Sequence, residues 1–188
     1  MKCETYMLQN KDEVDKMARI FIENGVKSYL EVGSKFGGSL WRVANALPVG
    51  SKVVSVDLPQ GDTSFKDTKP HLEECVRTLK KRGYDAQVIF GDSTNPGIVE
   101  AATKEGPFDA VFLDGNHTLP YIKKDWENYS KITKILAFHD IGFFREGGMA
   151  PGKKPIEVPV FWNRIKENYK HVEIKYDKQD NGIGILWL

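Results

Sequence analysis

The chain has 188 residues, of which 40% are hydrophobic and 11% aromatic, so it can bury the core of one ordinary domain. Its 27 basic and 26 acidic residues leave a formal net charge of +1, which favours neither a nucleic acid nor an anionic membrane surface as a partner. The sequence contains no signal-peptide pattern and no apolar run long enough to span a membrane. We therefore expect one globular, cytoplasmic domain covering residues 1–188.

The two cysteines support the same compartment. Cys3 and Cys75 lie far apart and outside any C-x-x-C pattern. This spacing argues against a disulfide framework, a zinc finger or a redox pair. A reducing environment is the natural inference.

The first helical pattern precedes a regular alternation of two kinds of segment. Apolar residues at helical spacing predict a leading helix within residues 1–27, from Lys11 to Asn24, before Gly25. Short apolar runs then predict five strands, at Ser28–Val32, Lys52–Val56, Ala86–Phe90, Asp109–Leu113 and Ile135–His139. Between them the patterns predict helices at Ser39–Leu47, Pro70–Arg82, Gly97–Lys104 and Pro120–Ile132. This alternation indicates an α/β fold with a parallel sheet, right-handed crossovers and helices on both faces.

The C-terminal part has a different pattern. A helix at Pro159–Tyr169 is followed by strands at His171–Tyr176 and Ile183–Leu188, joined by a turn around Gln179–Gly182. The two strands predict an antiparallel terminal hairpin, which brings the sheet to seven strands. Between the fifth strand and this helix, the irregular segment Gly142–Pro159 is rich in Gly and Pro, and we expect it to act as a lid.

A glycine-rich turn follows the first predicted strand. Glu31, Gly33, Gly37 and Gly38 form the pattern E-x-G-x-x-x-G-G, which permits a close backbone approach by a ligand, and the next strand ends at Asp57. A carboxylate there can accept hydrogen bonds from the two hydroxyls of a ribose. The spacing differs from the G-x-G-x-x-G pattern of dinucleotide sites, which favours an adenosyl cofactor without phosphates. A glycine turn of no special function remains the alternative.

Other polar residues stand where the predicted strands end. In an open parallel sheet, ligands bind outside the carboxyl ends of the strands. The residues at these ends are Gly33, Ser34, Asp57, Asp92, Asp114, Asn116, His117, His139 and Asp140. Within Gly91-Asp92-Ser93, the Asp92 carboxylate can bind an adenine amine, or it can serve only as a turn or helix-capping residue.

Two carboxylates and two imidazoles follow the fourth and fifth strands, which we expect to be neighbours in the sheet. Asp114 and His117 follow the fourth strand, and His139 and Asp140 end the fifth. Carboxylates with at most one imidazole suit Mg²⁺ or Mn²⁺, whereas two His ligands favour a transition metal. Alternatively, a histidine acts as a general base near neutral pH, or the histidines have only structural roles. The sequence leaves these interpretations open.

With these residues taken together, the chain resembles the class I S-adenosylmethionine-dependent methyltransferases over nearly its whole length. The segment Glu31–Gly38 looks like their motif I, Asp57 like the ribose-binding acid and Asp92 like the adenine-side acid. Leu113–Asp125 with Phe138–Ile141 is similar to a small single-domain branch that includes sugar O-methyltransferases and cephalosporin-hydroxylase-like proteins. The resemblance implies a Rossmann-like methyltransferase fold, with a seven-stranded, mostly parallel sheet and an antiparallel C-terminal hairpin.

The resemblance also implies roles for individual residues. It implies cofactor contacts from a set spread over four strand ends: Glu31, Gly33, Ser34, Gly37, Gly38, Ser39, Asp57, Leu58, Gly91, Asp92, Ser93 and Asp114. In the metal-dependent members, residues matching Asp114 and Asp140 hold a divalent cation, and His139 departs from a position that is often acidic. We assign the metal to Asp114, His139 and Asp140, and catalysis to His117, His139 and Asp114.

Our leading hypothesis is methyl transfer from S-adenosylmethionine to a hydroxyl of a small molecule or sugar, assisted by Mg²⁺ or another divalent cation. We expect a small-molecule acceptor, neither a nucleic acid nor a membrane as a partner, and we leave a homo-oligomer open. Two alternatives remain. One is a methyltransferase-fold protein with other chemistry, like the cephalosporin hydroxylases, and the other is a non-catalytic cofactor-binding or partner-binding module.

Overall fold

The computed structural model describes residues 7–60, 68–142, 154–176 and 181–188. Six α-helices are found in these ranges: α1 (Lys11–Glu23), α2 (Gly38–Ala46), α3 (Thr68–Lys81), α4 (Pro96–Glu105), α5 (Leu119–Tyr129) and α6 (Val158–Ile165). Seven strands alternate with them: β1 (Ser28–Val32), β2 (Lys52–Asp57), β3 (Asp85–Phe90), β4 (Phe108–Leu113), β5 (Thr133–His139), β6 (Lys170–Ile174) and β7 (Ile183–Trp187).

All seven strands form one sheet in the order β3-β2-β1-β4-β5-β7-β6. The first five strands run parallel, and β7 pairs antiparallel with both β5 and β6. The carboxyl ends of β1 to β5 therefore lie along one edge of the sheet, which we call the rim. The chain order reverses between β1 and β4, where a ligand crevice opens in sheets of this kind.

The core lies on both faces of the sheet, because alternate residues of each strand point to opposite sides. Tyr29 of β1 packs in the core under α1, α2 and α3, whereas its neighbour Leu30 packs under α4, α5 and α6. Both side chains are fully buried. The sheet thus has helices on each face, as the sequence predicts.

The predicted fold class is confirmed, including the antiparallel hairpin of β6 and β7. Most boundaries shift by one or two residues. The predicted helices ending at Ile132 and Tyr169 are shorter than expected, since α5 and α6 each continue into a 3₁₀ turn, at Ser130–Ile132 and Lys166–Asn168. Such tighter turns are common where a helix ends.

The cysteine expectation is wrong for Cys75. Its side chain, on α3, is disulfide-bonded, so it is not a free thiol. The argument for a reducing compartment therefore loses its basis. Cys3 lies outside the described residues.

The predicted lid and turn fall largely outside the described part of the chain. Of Gly142–Pro159, residues 143–153 are not described, and of the turn Gln179–Gly182, only residues 181 and 182 are described. The two ends of the lid segment are placed: the Gly142 amide donates to the Asn181 carbonyl at 2.7 Å, and the Glu157 amide donates to the His117 carbonyl at 2.8 Å.

No helix of the described ranges has both the length and the apolar composition that crossing a membrane requires.

Candidate functional site

The loop after β1 touches the loop after β4 at the switch point of the sheet. Gly33 has a positive φ of 93°, and a Cβ placed on it would lie 2.2 Å from the carbonyl oxygen of Asp114. The Gly33 amide donates to Val56 at 2.9 Å, and the Asp114 amide donates to Val32 at 2.8 Å. Only a residue without a side chain allows this contact. The crevice is therefore built by backbone lying against backbone.

Glu31 and Ser39, both predicted to contact a cofactor, lie beneath the loop. The Glu31 carboxylate is fully buried and accepts hydrogen bonds from Tyr29 Oη and Ser39 Oγ, both at 2.6 Å. Burial raises the pKa of Glu31 to about 7, although the hydroxyl donors act in the opposite direction. These contacts tie β1 to the first turn of α2. In this structure Glu31 and Ser39 therefore hold the loop in place through their hydrogen bond to each other.

The rest of the loop surrounds Asp57. The Lys35 amide donates to Asp57 Oδ2, and the Leu58 amide donates to Oδ1 at 2.6 Å. Lys35 itself has a positive φ of 52°, which is uncommon for a residue with a side chain. Burial raises the pKa of Asp57, while the two amide contacts lower it and limit the shift. The carboxylate is thus held in a fixed orientation at the end of β2.

Ser34, Gly37, Gly38 and Leu58 complete the loop and its surroundings. Ser34 is buried and accepts a hydrogen bond from Ser55 Oγ at 2.7 Å. Gly37 precedes the first turn of α2, which begins at Gly38. Leu58 is 45% exposed beside the Asp57 carboxylate, so it offers an apolar surface at the rim.

The loop after β3 carries Asp92 and Ser93. Asp92 Oδ1 accepts hydrogen bonds from the amide and hydroxyl of Thr94, at 2.8 and 2.7 Å, which is the turn arrangement that stands as the alternative to adenine binding. Ser93 Oγ donates to Asp125 Oδ1 at 2.7 Å, and Tyr129 Oη donates to the Ser93 carbonyl at 2.9 Å. Gly91 lies directly after β3, so this loop reaches the same rim.

Asp125 is not among the predicted site residues. Its side chain is 1% exposed on α5, and burial raises its pKa to about 7. The sequence signal for its burial is its position three residues after Ile122, which puts both residues on the same face of an amphipathic helix. An acidic residue is more often solvent-exposed, so the pattern alone does not single it out.

The residues after β4 and β5 converge into one cluster, which we call the rim cluster: Asp114, His117, His139 and Asp140. His139 Nδ1 lies 3.0 Å from Asp114 Oδ1 and 3.3 Å from Asp140 Oδ1. His117 lies between the same two carboxylates, with Nε2 3.3 Å from Asp114 Oδ1 and Nδ1 2.7 Å from Asp140 Oδ2. The register of β4 and β5 produces this grouping, since Leu113 pairs with Phe138.

Two carboxylates raise the pKa of both imidazoles. Burial lowers the pKa of His117, but its contacts with Asp114 and Asp140 outweigh burial and raise it to about 10. The pKa of His139 is also raised, since the carboxylate charges outweigh its burial. For Asp114, burial would raise the pKa, but the neighbouring imidazoles lower it below its ordinary value. Without a metal, His117 is therefore an imidazolium at neutral pH.

The rim cluster fits a metal ion. One ligand atom from each of Asp114, His117 and His139 can be chosen so that all three lie within 4.8 Å of one another. Within the described part of the chain, Nε2 of His139 is buried without a hydrogen-bond partner, whereas its Nδ1 faces the two carboxylates. Buried polar atoms are rarely left so, and a bound ion is one arrangement that satisfies them. The chemistry of these donors suits a divalent cation.

Two further side chains contact this cluster or the loop that follows β4, and neither is predicted by the sequence. Gln9, just before α1, donates through Nε2 to Asp114 Oδ2. Glu157, just before α6, accepts through Oε2 from the Leu119 amide at 2.9 Å. Asn116 instead makes a local turn, accepting from Thr118 N at 3.1 Å. Contacts over 105 residues, as for Gln9, leave no local pattern in a sequence.

Comparison with known proteins agrees with this architecture. The model of the methyltransferase domain family matches residues 30–141, which is more than half of the chain and spans β1 to the end of the rim cluster. The chain belongs to this methyltransferase family. The family predicted from the motifs is thereby confirmed.

Solved methyltransferase structures share the fold at low sequence identity. A candidate caffeoyl-CoA O-methyltransferase from Staphylococcus aureus superposes with a TM-score of 0.72 at 16% identity, over 95% of this chain and 84% of that one. The O-methyltransferase TomG from Streptomyces achromogenes, in complex with S-adenosylmethionine, gives 0.66 at 16% identity, covering 95% and 80%. An O-methyltransferase from Bacillus cereus, in complex with S-adenosylhomocysteine, gives 0.64 at 13% identity, covering 95% and 82%. A search of curated protein sequences gives no match.

Proposed function

We propose that the protein transfers a methyl group from S-adenosylmethionine to the hydroxyl oxygen of a small molecule, with a divalent cation held at the rim cluster. One observation carries the proposal: the loop that orients Asp57 and the strand end that carries Asp114 meet at the switch point. A ligand bound along the loop would therefore reach the rim cluster. The names of the similar structures, which are O-methyltransferases, support oxygen as the acceptor atom.

Asp57 is the residue that recognises the cofactor ribose in this proposal. A carboxylate offers about four acceptor positions, and the amides of Lys35 and Leu58 occupy only two. The remaining positions accept the two ribose hydroxyls. Because the amides already fix the carboxylate, little further ordering is needed when the cofactor binds.

The acceptor lies at the rim cluster. Asp114, His139 and Asp140 would hold the cation together with His117, and a bound divalent cation lowers the pKa of a hydroxyl and orients it. Alignment of the methyl group with the acceptor oxygen is the other main contribution, worth up to roughly 7–11 kcal/mol. The side chains of the rim cluster follow the paired strands β4 and β5, and the sheet holds them in fixed positions for this alignment.

His117 is a poor general base in the absence of a cation. Its pKa near 10 keeps it protonated at neutral pH, so it has no free lone pair for the acceptor proton. A cation held by His117 would displace this proton and occupy the lone pair that the proton leaves, so His117 is a ligand in this proposal and not the base. In this proposal the histidines act together with the cation, and they do not replace it.

Calorimetric titration with S-adenosylmethionine and S-adenosylhomocysteine tests the cofactor assignment. We expect the wild type to bind both, and Asp57→Ala to bind roughly 10- to 100-fold more weakly, since hydrogen bonds to a charged group are worth about 1.5–3 kcal/mol. Asp85→Ala is the matched control, because Asp85 is an exposed carboxylate at the opposite end of the neighbouring strand. Absence of binding by the wild type would contradict the proposed function.

A further inference from the structure

The geometry of the rim cluster points to a metal preference: we propose that this chain selects a nitrogen-accepting transition-metal ion of the Fe²⁺ to Zn²⁺ series over Mg²⁺. The inference deepens the proposed function, which places a cation at this cluster. Its test does not depend on methyl transfer, because metal binding is measured directly.

The first support is the donor set. Two of the four side chains are imidazoles, and both lie against the same two carboxylates, with His139 Nδ1 3.0 Å and His117 Nε2 3.3 Å from Asp114 Oδ1. Donor atoms that share one ion at about 2.1 Å lie roughly 3–4 Å apart. Imidazole nitrogen suits Fe, Ni, Cu and Zn, whereas Mg²⁺ takes oxygen ligands and retains several waters.

The second support is the burial of a nitrogen donor that has no other partner. His139 is 5% exposed and Asp140 is 2% exposed. His139 Nε2 makes no hydrogen bond to the described residues, whereas His139 Nδ1 lies 3.0 Å from Asp114 Oδ1 and 3.3 Å from Asp140 Oδ1. A nitrogen donor with no proton acceptor in hydrogen-bonding geometry is available to a metal.

A proton alone does not account for the cluster. An imidazolium at His117 pairs with both carboxylates through its two nitrogens. This leaves His139 Nε2 without a partner in the described structure, although His139 is only 5% exposed. A metal ion bound at His139 Nε2 would satisfy this atom. The metal-bound arrangement therefore explains more of the observed geometry than the protonated one.

The test uses the full chain after removal of metal by a chelator. We titrate it with Co²⁺, whose visible d–d absorption reports nitrogen ligation, and then with Zn²⁺ and Mg²⁺ by calorimetry. We expect one Co²⁺ per chain, displacement by Zn²⁺, and no displacement by a large excess of Mg²⁺. Mg²⁺ binding as tight as that of Zn²⁺, or no saturable Co²⁺ spectrum, would overturn the proposal.

Variants assign the site to these residues. His139→Ala should weaken Co²⁺ binding by more than the roughly 10–100-fold that loss of an outer hydrogen-bond partner costs. His139→Asp should change the order, lowering Co²⁺ affinity while raising that for Mg²⁺. His171→Asn is the control for histidine content, because His171 lies on β6 against Trp162 and the Tyr169 carbonyl. An equal loss in His171→Asn would contradict the assignment.

The two proposals fail in different ways. Titration of the same metal-free protein with S-adenosylhomocysteine separates them, since Asp57, which binds the ribose in the proposed function, is not part of the rim cluster. Metal selectivity without cofactor binding would overturn the methyl-transfer proposal alone. Cofactor binding with a preference for Mg²⁺ would overturn the metal inference alone. Circular dichroism of each variant excludes loss of folding as the cause, and the wild-type metal preference needs no variant.

Discussion

At the scale of single residues, the contact of Gly33 with the Asp114 carbonyl determines the shape of the crevice. Gly50 offers a useful comparison, because it has almost the same φ, 91° against 93°, but nothing lies within 4 Å of the position of its Cβ. Both positions disfavour a side chain for conformational reasons. Only Gly33 adds a clash between backbones, so the two glycines separate conformational strain from steric exclusion.

We predict that Gly33→Ala destabilises the protein more than Gly50→Ala does. The left-handed conformation costs about 1–2 kcal/mol at either site. The clash with Asp114 should add at least about 2 kcal/mol at Gly33, since neither backbone can move without disturbing the sheet. Urea unfolding measures both free energies. Equal destabilisation by the two variants would show that the close approach at the crevice is not required.

Glu31 provides a prediction of pH dependence. Its folded pKa of about 7 lies above its ordinary value of 4.5, because burial disfavours the charged form. The folded state therefore retains its proton longer than the unfolded state as pH rises. The associated stability is complete below about pH 4.5 and is lost progressively up to about pH 7, by roughly 3 kcal/mol in total.

Glu31→Gln removes this titration while keeping the size of the side chain. We expect the free energy of unfolding of the variant to fall less than that of the wild type between pH 4.5 and 7. Denaturant unfolding at several pH values measures the difference between the two slopes. A variant with the same slope as the wild type would show that Glu31 is already charged in the folded protein.

At the scale of elements, the docking of α6 against β7 depends on one small residue. Gly184 of β7 lies opposite Phe138 of β5, and a Cβ on Gly184 would lie 2.6 Å from the Trp162 ring. Trp162 is fully buried on α6, and its Nε1 donates to Glu173 on β6 at 2.6 Å. The absent side chain at Gly184 thus makes room for the ring that fastens α6 to the antiparallel end of the sheet.

We predict strong coupling between these two positions. Gly184→Ala should destabilise the wild type by about 2–3 kcal/mol, because the added methyl overpacks a close-packed core. In a Trp162→Phe background the smaller ring leaves room, and the same change should cost less than about 1 kcal/mol. Unfolding free energies of the two single variants and the double variant measure the coupling. Additive effects would contradict this account of the packing.

At the scale of the whole molecule, the sheet and its rim follow closely from the sequence pattern. Apolar runs with strand-like length, separated by helical patterns, require a parallel sheet, and parallel strands place their carboxyl ends at one edge. The pattern alone therefore predicts that the residues after Leu113 and after Phe138 lie side by side. The pairing of these two residues places His117 and His139 against the same carboxylates.

The sequence could not predict contacts that depend on tertiary packing. Gln9 reaches Asp114 across 105 residues, and Ser93 reaches Asp125 across 32, with no periodic pattern at either end. The motif suggested a direct cofactor contact for Glu31, but only the structure shows that its carboxylate faces inward to Tyr29 and Ser39. Side-chain direction at a strand end depends on the neighbouring loops, which local patterns do not specify.

A crystal structure of the complex with S-adenosylhomocysteine tests the central claim most directly. We predict that the ribose hydroxyls will bind the Asp57 carboxylate and that the cofactor sulfur will face the cluster of Asp114 and His117. The methyl group of S-adenosylmethionine would then point at the acceptor position. A ligand bound elsewhere, or one whose sulfur faces away from Asp114, would contradict the account.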